Sequence, residues 1–138
     1  MNNSIFDEFD EFDEFDEFDV IDVYTRAQAL EDGVLIDVSS VAKEAGISFP
    51  VAVTSSVWYQ YILPPDKLEA CGQSVSGRLW DLLHMFRLKA LKTNSSLLYF
   101  HCLFLGYDEK HEEVRFKAIC GPGDNLEPVL TIMLPEED

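Results

Sequence analysis

Residues 76–105, SGRLWDLLHMFRLKALKTNSSLLYFHCLFL, decide the fold class because their periodicity changes from helical to strand-like. The first half carries apolar residues three and four positions apart, the spacing of one helical face. These residues are Leu79, Leu82, Leu83, Phe86 and Ala90. The pattern predicts a long helix from Ser76 to about Lys92. The run from Leu97 to Leu105 is rich in Leu, Tyr and Phe, which predicts a β-strand.

Two more strands are predicted after this run. Val114 to Cys120 alternates apolar residues with Arg115 and Lys117, so it forms a hairpin with the strand before it. A third strand, Val129 to Leu134, follows a turn at residues 121–125. The three strands predict an antiparallel meander with the long helix across one face.

The N-terminal half predicts shorter elements. Thr25-Arg-Ala-Gln28 has the form of a capping box, and Gly33 should end the short helix that it opens. The other predictions are a strand at 34–38, a short helix at 41–45, a brief strand at 50–53 and a helical stretch ending at Pro64-Pro65. The predicted fold class is therefore α+β: a three-stranded antiparallel meander plus one or two extra short strands, packed on a long central helix with short N-terminal helices.

The charge of the chain is unevenly distributed. The 138 residues include 26 acidic and 10 basic side chains, which gives a formal net charge of -16. Residues 7–22 hold ten of the acidic side chains and no basic one, so -6 remains for everything after Asp22. We therefore predict two parts, an acidic FDE-repeat tail at residues 1–22 and a single α+β domain at residues 23–138.

The repeat places Phe every third residue, and only a three-per-turn conformation aligns such side chains on one edge. Repulsion among the carboxylates favours extension, so we expect a largely disordered tail that orders on a partner. The predicted partner-binding residues are Phe6, Asp7, Glu8, Phe9, Asp10, Glu11, Phe12, Asp13, Glu14, Phe15, Asp16, Glu17, Phe18 and Asp19. A repeat that arose by slippage and serves only solubility is the alternative.

The acidic balance excludes some partners. Sequence-independent binding to DNA or RNA depends on Lys and Arg, so we expect no direct nucleic-acid binding and no attachment to an anionic membrane. The N-terminus lacks a secretory pattern, and the three cysteines, Cys71, Cys102 and Cys120, form no CxxC pair. We expect a cytoplasmic protein with reduced thiols, no cofactor and no metal site.

One loop stands out as a possible site. Gly121, Gly123 and Asp124 lie in a turn whose backbone N–H groups could hold an anion, although a tight turn between strands explains the same residues. The histidines and cysteines have no diagnostic metal-ligand spacing and form no recognisable catalytic set, so we assign no catalytic residue.

The predicted long helix also carries a group of basic side chains. They are Arg78, Arg87, Lys89 and Lys92. A solvated outer face is their usual role. The alternative is an acceptor surface for the acidic tail, either folded back or donated by a second copy.

Four segments resemble a family of small bacterial proteins of unknown function carried on plasmids, phages and other mobile elements. They are VYTRAQALEDGVLIDVS (23–39), AKEAGISFPVAVTSSVW (42–58), SGRLWDLLHM (76–85) and CGPGDNLEPVLTIMLPEED (120–138). The resemblance implies no catalytic residues, and the FDE repeat is not part of its pattern. It does imply a mobile-element setting, in which small acidic proteins often occupy the basic cleft of host defence nucleases.

The sequence therefore favours a non-enzymatic acidic protein that mimics nucleic acid and binds a basic surface of a host protein. Two alternatives remain open. One is a small enzyme or ligand-binding domain with a site near the Cys120 to Asp124 turn. The other is a structural or oligomerisation module, in which the chain forms a homo-oligomer.

Overall fold

The computed structural model describes residues 24–63, 74–105 and 110–137. The FDE repeat and Pro64-Pro65 lie outside these residues. The described residues form four α-helices and five strands. The helices are α1 (Arg26–Asp32), α2 (Ser39–Glu44), α3 (Ser55–Val57) and α4 (Val75–Ala90). The strands are β1 (Leu35–Asp37), β2 (Val51–Thr54), β3 (Leu97–Leu105), β4 (His111–Pro122) and β5 (Pro128–Met133).

All five strands form one mixed sheet in the order β1-β2-β5-β4-β3. The α+β class is thus confirmed, and the two extra short strands, β1 and β2, extend the sheet beyond β5. β2 runs parallel to β5 in a register that pairs Val51 with Leu130 and Val53 with Ile132, whereas the other neighbours are antiparallel. All four residues of β2 are buried. This burial on both faces suits a central parallel strand, which needs a long crossover connection.

The main core lies between one face of the sheet and helix α4. The helix begins at Val75, one residue before the predicted start, and the hydroxyl of the preceding Ser74 accepts a hydrogen bond from the Gly77 amide at 3.1 Å. Its buried apolar residues are Leu79, Leu82, Leu83 and Phe86. They pack against the alternate residues of β3, which are Leu98, Phe100, Cys102 and Phe104. The apolar face that the helical spacing predicted for α4 therefore packs on the apolar face of β3.

The short helices follow local capping chemistry. The predicted capping box is confirmed, since Thr25 and Gln28 exchange side-chain and backbone hydrogen bonds at the start of α1, and Gly33 ends it with a φ of 81°. Helix α3 is capped by the Thr54 hydroxyl. It continues as a π-helical turn, Trp58–Ile62, which the sequence pattern did not predict.

Helix α1 lies on the other face of the sheet. Its Arg26 guanidinium reaches Thr131, whose side chain alternates with the core residues Leu130 and Ile132. On the same face, Ala52 and Met133 are buried, but they are not members of the main core cluster. At the opposite end of the sheet, His101, Leu103 and other residues of β3 and β4 remain exposed. One half of this second face is therefore covered and the other half is open.

Candidate acidic binding surface

The segment that the sequence singled out, Cys120 to Asp124, begins inside β4, because residues 120–122 still pair with β5. Gly121 is therefore a strand residue and not part of the predicted turn, whereas Gly123 and Asp124 lie in the loop that joins β4 to β5. Its amides bond within the loop: Gly123 N donates to the Glu127 carbonyl at 2.6 Å, and Leu126 N donates to the Gly123 carbonyl at 3.0 Å. The Asn125 amide donates to the Glu127 carboxylate at 2.9 Å. A Cβ at Gly123 would lie 2.5 Å from that carboxylate, whereas a Cβ at Gly121 would meet nothing within 4 Å. These contacts favour the tight-turn interpretation over an anion site.

Asp124 uses its side chain to fasten this loop to helix α1. Its two carboxylate oxygens accept hydrogen bonds from the Arg26 amide at 2.9 Å and the Ala27 amide at 3.0 Å. These amides belong to the first helical turn, where backbone N–H groups have no hydrogen-bond acceptor inside the helix. A residue 98 positions away in the chain thus completes the N-terminus of α1.

The side chain of Arg26 lies where α1, the β4–β5 loop and the sheet meet. Its guanidinium donates to the Thr131 hydroxyl at 2.7 Å and to the Leu130 carbonyl at 3.0 Å. Burial lowers the pKa of Arg26, while Asp37, Asp124 and Glu127 act in the opposite direction through their charges. Three carboxylates from two separate segments, the end of β1 and the β4–β5 loop, therefore lie close enough to influence one cation.

Two more carboxylates, Glu31 and Asp32, are exposed on the last turn of α1, about 10 Å along the helix from its start. The Tyr24 hydroxyl donates to Asp32 at 2.7 Å, and this hydrogen bond raises the pKa of Tyr24. We define the acidic face by five residues. They are Glu31, Asp32, Asp37, Asp124 and Glu127. Three of them, Asp37, Asp124 and Glu127, act on the single positive charge of Arg26 and together exceed it, so the face keeps a negative charge.

The basic residues of helix α4 do not form a single outer row. Arg87, Lys89 and Lys92 are exposed, but Arg78 is 5% exposed, so the expectation of a solvated face is wrong for Arg78. Its guanidinium donates to the Tyr61 carbonyl at 2.6 Å and to the Leu105 carbonyl at 3.2 Å. These bonds join the π-helical turn, α4 and the end of β3.

The histidines and the cysteine considered for the enzyme alternative do not lie at the Cys120 to Asp124 turn. His84, His101 and Cys102 line a cavity of about 350 Å³ between α4 and β3, together with Asp81, Met85, Leu103 and Glu113. None of these lining residues comes from the β4–β5 loop. Burial raises the pKa of Cys102 to about 12, with a further increase from Asp81. The thiol therefore stays protonated at neutral pH, which is unsuitable for a nucleophile.

The same cavity offers little to a metal ion. Within the described ranges, no three His, Cys, Asp or Glu side chains are grouped closely enough to hold one. His84 stacks on Trp80 with ring centroids 5.1 Å apart. Cys71, which the sequence also offered as a ligand, lies outside those ranges.

Sequence reasoning identified Asp124 but not its partner Arg26, nor Glu127 and Asp37. A single Arg in the first turn of a helix is a weak signal. Its significance depends on a loop about 100 residues away, which no local pattern connects to it.

These features define a small mixed α+β protein with a carboxylate-rich face beside its N-terminal helix. The chain belongs to DUF6573, a family of unknown function, whose match covers residues 11–138 and so begins inside the FDE repeat. No curated protein and no solved structure matches it. In the part of the chain that the structure describes, no helix has the length and apolar character to cross a membrane.

Proposed function

We propose that this protein binds a basic surface of another protein through the acidic face, with the FDE repeat extending the negative charge. The observation that carries the proposal is the convergence of Asp37, Asp124 and Glu127 on Arg26. Carboxylates from distant parts of the sequence gather there around a single cation. Such an excess of one sign attracts an oppositely charged partner and orients its approach.

The position of the FDE repeat in the chain supports a role shared with the acidic face. The ten carboxylates of residues 7–22 immediately precede Tyr24 and Thr25, which open helix α1. The chain therefore carries its two concentrations of negative charge next to each other in sequence. The Phe residues between the carboxylates would serve as apolar anchors once charge has brought the partner close.

The finer proposal is that the partner surface normally binds nucleic acid. An extended repeat carries about one charge per 5 Å, near the single-strand spacing of about 3.4 Å. The resemblance to proteins of mobile elements supports a host defence protein as the target, since such elements gain from blocking a nuclease. In this role the protein occupies a basic cleft without catalysing a reaction.

Affinity capture with the full chain as bait tests this proposal. Proteins retained from a bacterial lysate at low salt are eluted with duplex DNA, which displaces those held at a nucleic-acid-binding surface. We expect at least one protein to be retained and displaced, and its retention to fall steeply with added salt. Retention of no protein that duplex DNA displaces would overturn the mimic proposal.

Matched variants separate the acidic face from total charge. The double variant Glu31→Gln with Glu127→Gln removes two charges from the face. The control, Glu112→Gln with Glu136→Gln, removes two exposed carboxylates that lie near Tyr61 instead. We expect about tenfold weaker retention for the first bait and little change for the second. Equal losses would show that only total charge matters.

A further inference from the structure

Among the described residues, strand β3 is an edge strand, and its own sequence lacks the usual protection. It is the last strand of the sheet and spans nine residues, Leu97–Leu105, none of which is Asp, Glu, Lys, Arg or Pro. The opposite edge, β1, has three residues and is packed by helix α1. Proteins normally shorten, charge or cover such edges because an open edge pairs with another strand. β3 therefore has the properties of a pairing site.

Apolar side chains are concentrated around this edge. Among the described residues, eleven large apolar side chains are exposed, and six of these lie on α4, on the residue after it or on β3. The six are Trp80, Met85, Leu88, Leu91, Leu97 and Leu103. Exposed apolar side chains on both sides of an open strand mark an interaction surface.

A groove runs between α4 and β3 and has ends of opposite charge. Its first cavity includes the carboxylates of Asp81 and Glu113. Its second cavity, about 340 Å³, includes the ammonium groups of Lys89 and Lys92. Met85 and His101 line both cavities, so they mark the middle of the groove. One half is thus acidic and the other is basic, with the uncharged Met85 and the imidazole of His101 between them.

This arrangement is complementary to itself. A twofold axis through the middle of the groove places the acidic half of one copy against the basic half of the other. His101 is also the central residue of β3, so the same axis pairs Leu97 with Leu105 and Tyr99 with Leu103 of a second, antiparallel strand. Opposed aromatic and aliphatic side chains stabilise such pairs.

We propose that two copies of this chain associate through antiparallel pairing of their β3 strands, with the α4–β3 grooves facing each other and their charges matched. The two sheets then form one continuous sheet of ten strands. This association is independent of the acidic face, which lies beside the opposite edge of the sheet.

Light scattering on the full chain, combined with charge reversal, tests the proposal. The variant Asp81→Lys with Glu113→Lys makes the whole groove basic, and Lys89→Glu with Lys92→Glu makes it acidic. We expect the unmodified chain to dimerise and each variant alone to dimerise at least tenfold more weakly. An equimolar mixture of the two variants should form heterodimers, and the chain carrying all four changes should regain homodimers within about threefold.

A matched control has the same change in net charge outside the groove. Glu44→Lys with Glu136→Lys reverses two exposed carboxylates, one on α2 and one after β5, and we expect its dimerisation to match that of the unmodified chain. Circular dichroism of every variant verifies that loss of the dimer is not loss of the fold. Unchanged dimerisation of the groove variants would place the interface elsewhere and overturn the proposal.

Hydrogen exchange distinguishes a second copy from other occupants. We expect the outward-facing amides of β3 to gain protection as the chain concentration rises through the dimerisation range. A chain that remains monomeric at about 1 mM overturns the proposal. So does a monomer whose β3 amides lose protection when residues 1–19 are deleted, because the occupant would then be the repeat of the same chain.

Discussion

At the scale of single residues, Arg78 shows how a charged side chain acts as part of the core. Its position on a helix with three other basic residues suggests a solvated role, and only the carbonyls of Tyr61 and Leu105 reveal its actual one. The Phe104 ring also lies 4.8 Å from the guanidinium carbon. Burial lowers the pKa of Arg78, yet the group remains charged at neutral pH because its usual value is so high.

Replacing Arg78 should therefore be costly. Arg78→Met keeps most of the side-chain volume but leaves two carbonyl groups without their donor, and we expect the free energy of unfolding to fall by about 3 kcal/mol. Urea unfolding measures this change. Arg87→Met, an exposed site on the same helix, is the control and should change stability by less than about 0.5 kcal/mol. A loss below about 1 kcal/mol for Arg78→Met would contradict a structural role.

The buried thiol of Cys102 should lower the free energy of unfolding in alkali. Its pKa in the folded protein is about 12, above the value of about 8.5 for an unfolded thiol. The folded state therefore retains a proton that the unfolded state loses, so this group destabilises the fold progressively from about pH 8.5 to pH 12. Between pH 8 and pH 10, the unmodified chain should lose about 2 kcal/mol more than the Cys102→Ala variant.

Urea unfolding at both pH values, with a reducing agent present, measures this difference. Cys120→Ala removes the other described thiol and serves as the control, which should follow the unmodified chain. Parallel pH profiles for Cys102→Ala and the unmodified chain would show that the thiol does not contribute.

At the scale of elements, periodicity predicted β3, β4 and α4 because each has one face that enters the core. The capping box of α1 was likewise predictable from Thr25 and Gln28, whose contacts lie within four residues. The π-helical turn and the parallel pairing of β2 with β5 were not. Both depend on what the rest of the chain packs against those residues, which local propensity does not contain.

The N-terminus of α1 is stabilised by the capping box, which the sequence predicted, and by Asp124, which it did not. Asp124→Ala removes the acceptor of two amide hydrogen bonds and should lower the free energy of unfolding by about 1–2 kcal/mol. Asp124→Asn keeps one acceptor oxygen and should lose less. Glu31→Ala, on the same helix, is the control and should stay within about 0.5 kcal/mol. Chemical denaturation measures all three, and equal effects at Asp124 and Glu31 would contradict the cap.

At the scale of the whole molecule, the formal charge of -16 has two origins: a run of acidic residues that are neighbours in sequence, and carboxylates that the fold brings together. Ten charges belong to residues 7–22, and the carboxylates of the acidic face belong to segments that the fold brings together. The basic residues Lys89 and Lys92 lie in the groove beside β3, at the other edge of the sheet. The fold thus separates charges of opposite sign, which a count of residues does not show.

The predicted division into a tail and a domain is tested by deletion. Removing residues 1–19 eliminates nine carboxylates and changes the formal net charge from -16 to -7. Because repulsion among its clustered carboxylates opposes packing of the repeat, we expect the free energy of unfolding to change by less than about 1 kcal/mol in physiological salt, where the remaining charge repulsion is screened. Thermal and urea unfolding measure the change. A loss above about 2 kcal/mol would assign the repeat to the folded unit.

The sequence by itself determined the fold class, the long helix, the β3–β4 hairpin and the capped start of α1. Each of these depends on side chains a few positions apart, whose alternation or capping chemistry is local. The tertiary structure was needed to show that Asp124 completes α1, that Arg78 is buried and that Asp37, Asp124 and Glu127 act on Arg26 through their charges. It also decided that β3 is an open edge beside a groove of opposite charges. These features arise from contacts between distant residues, and strand order determines which distant residues meet.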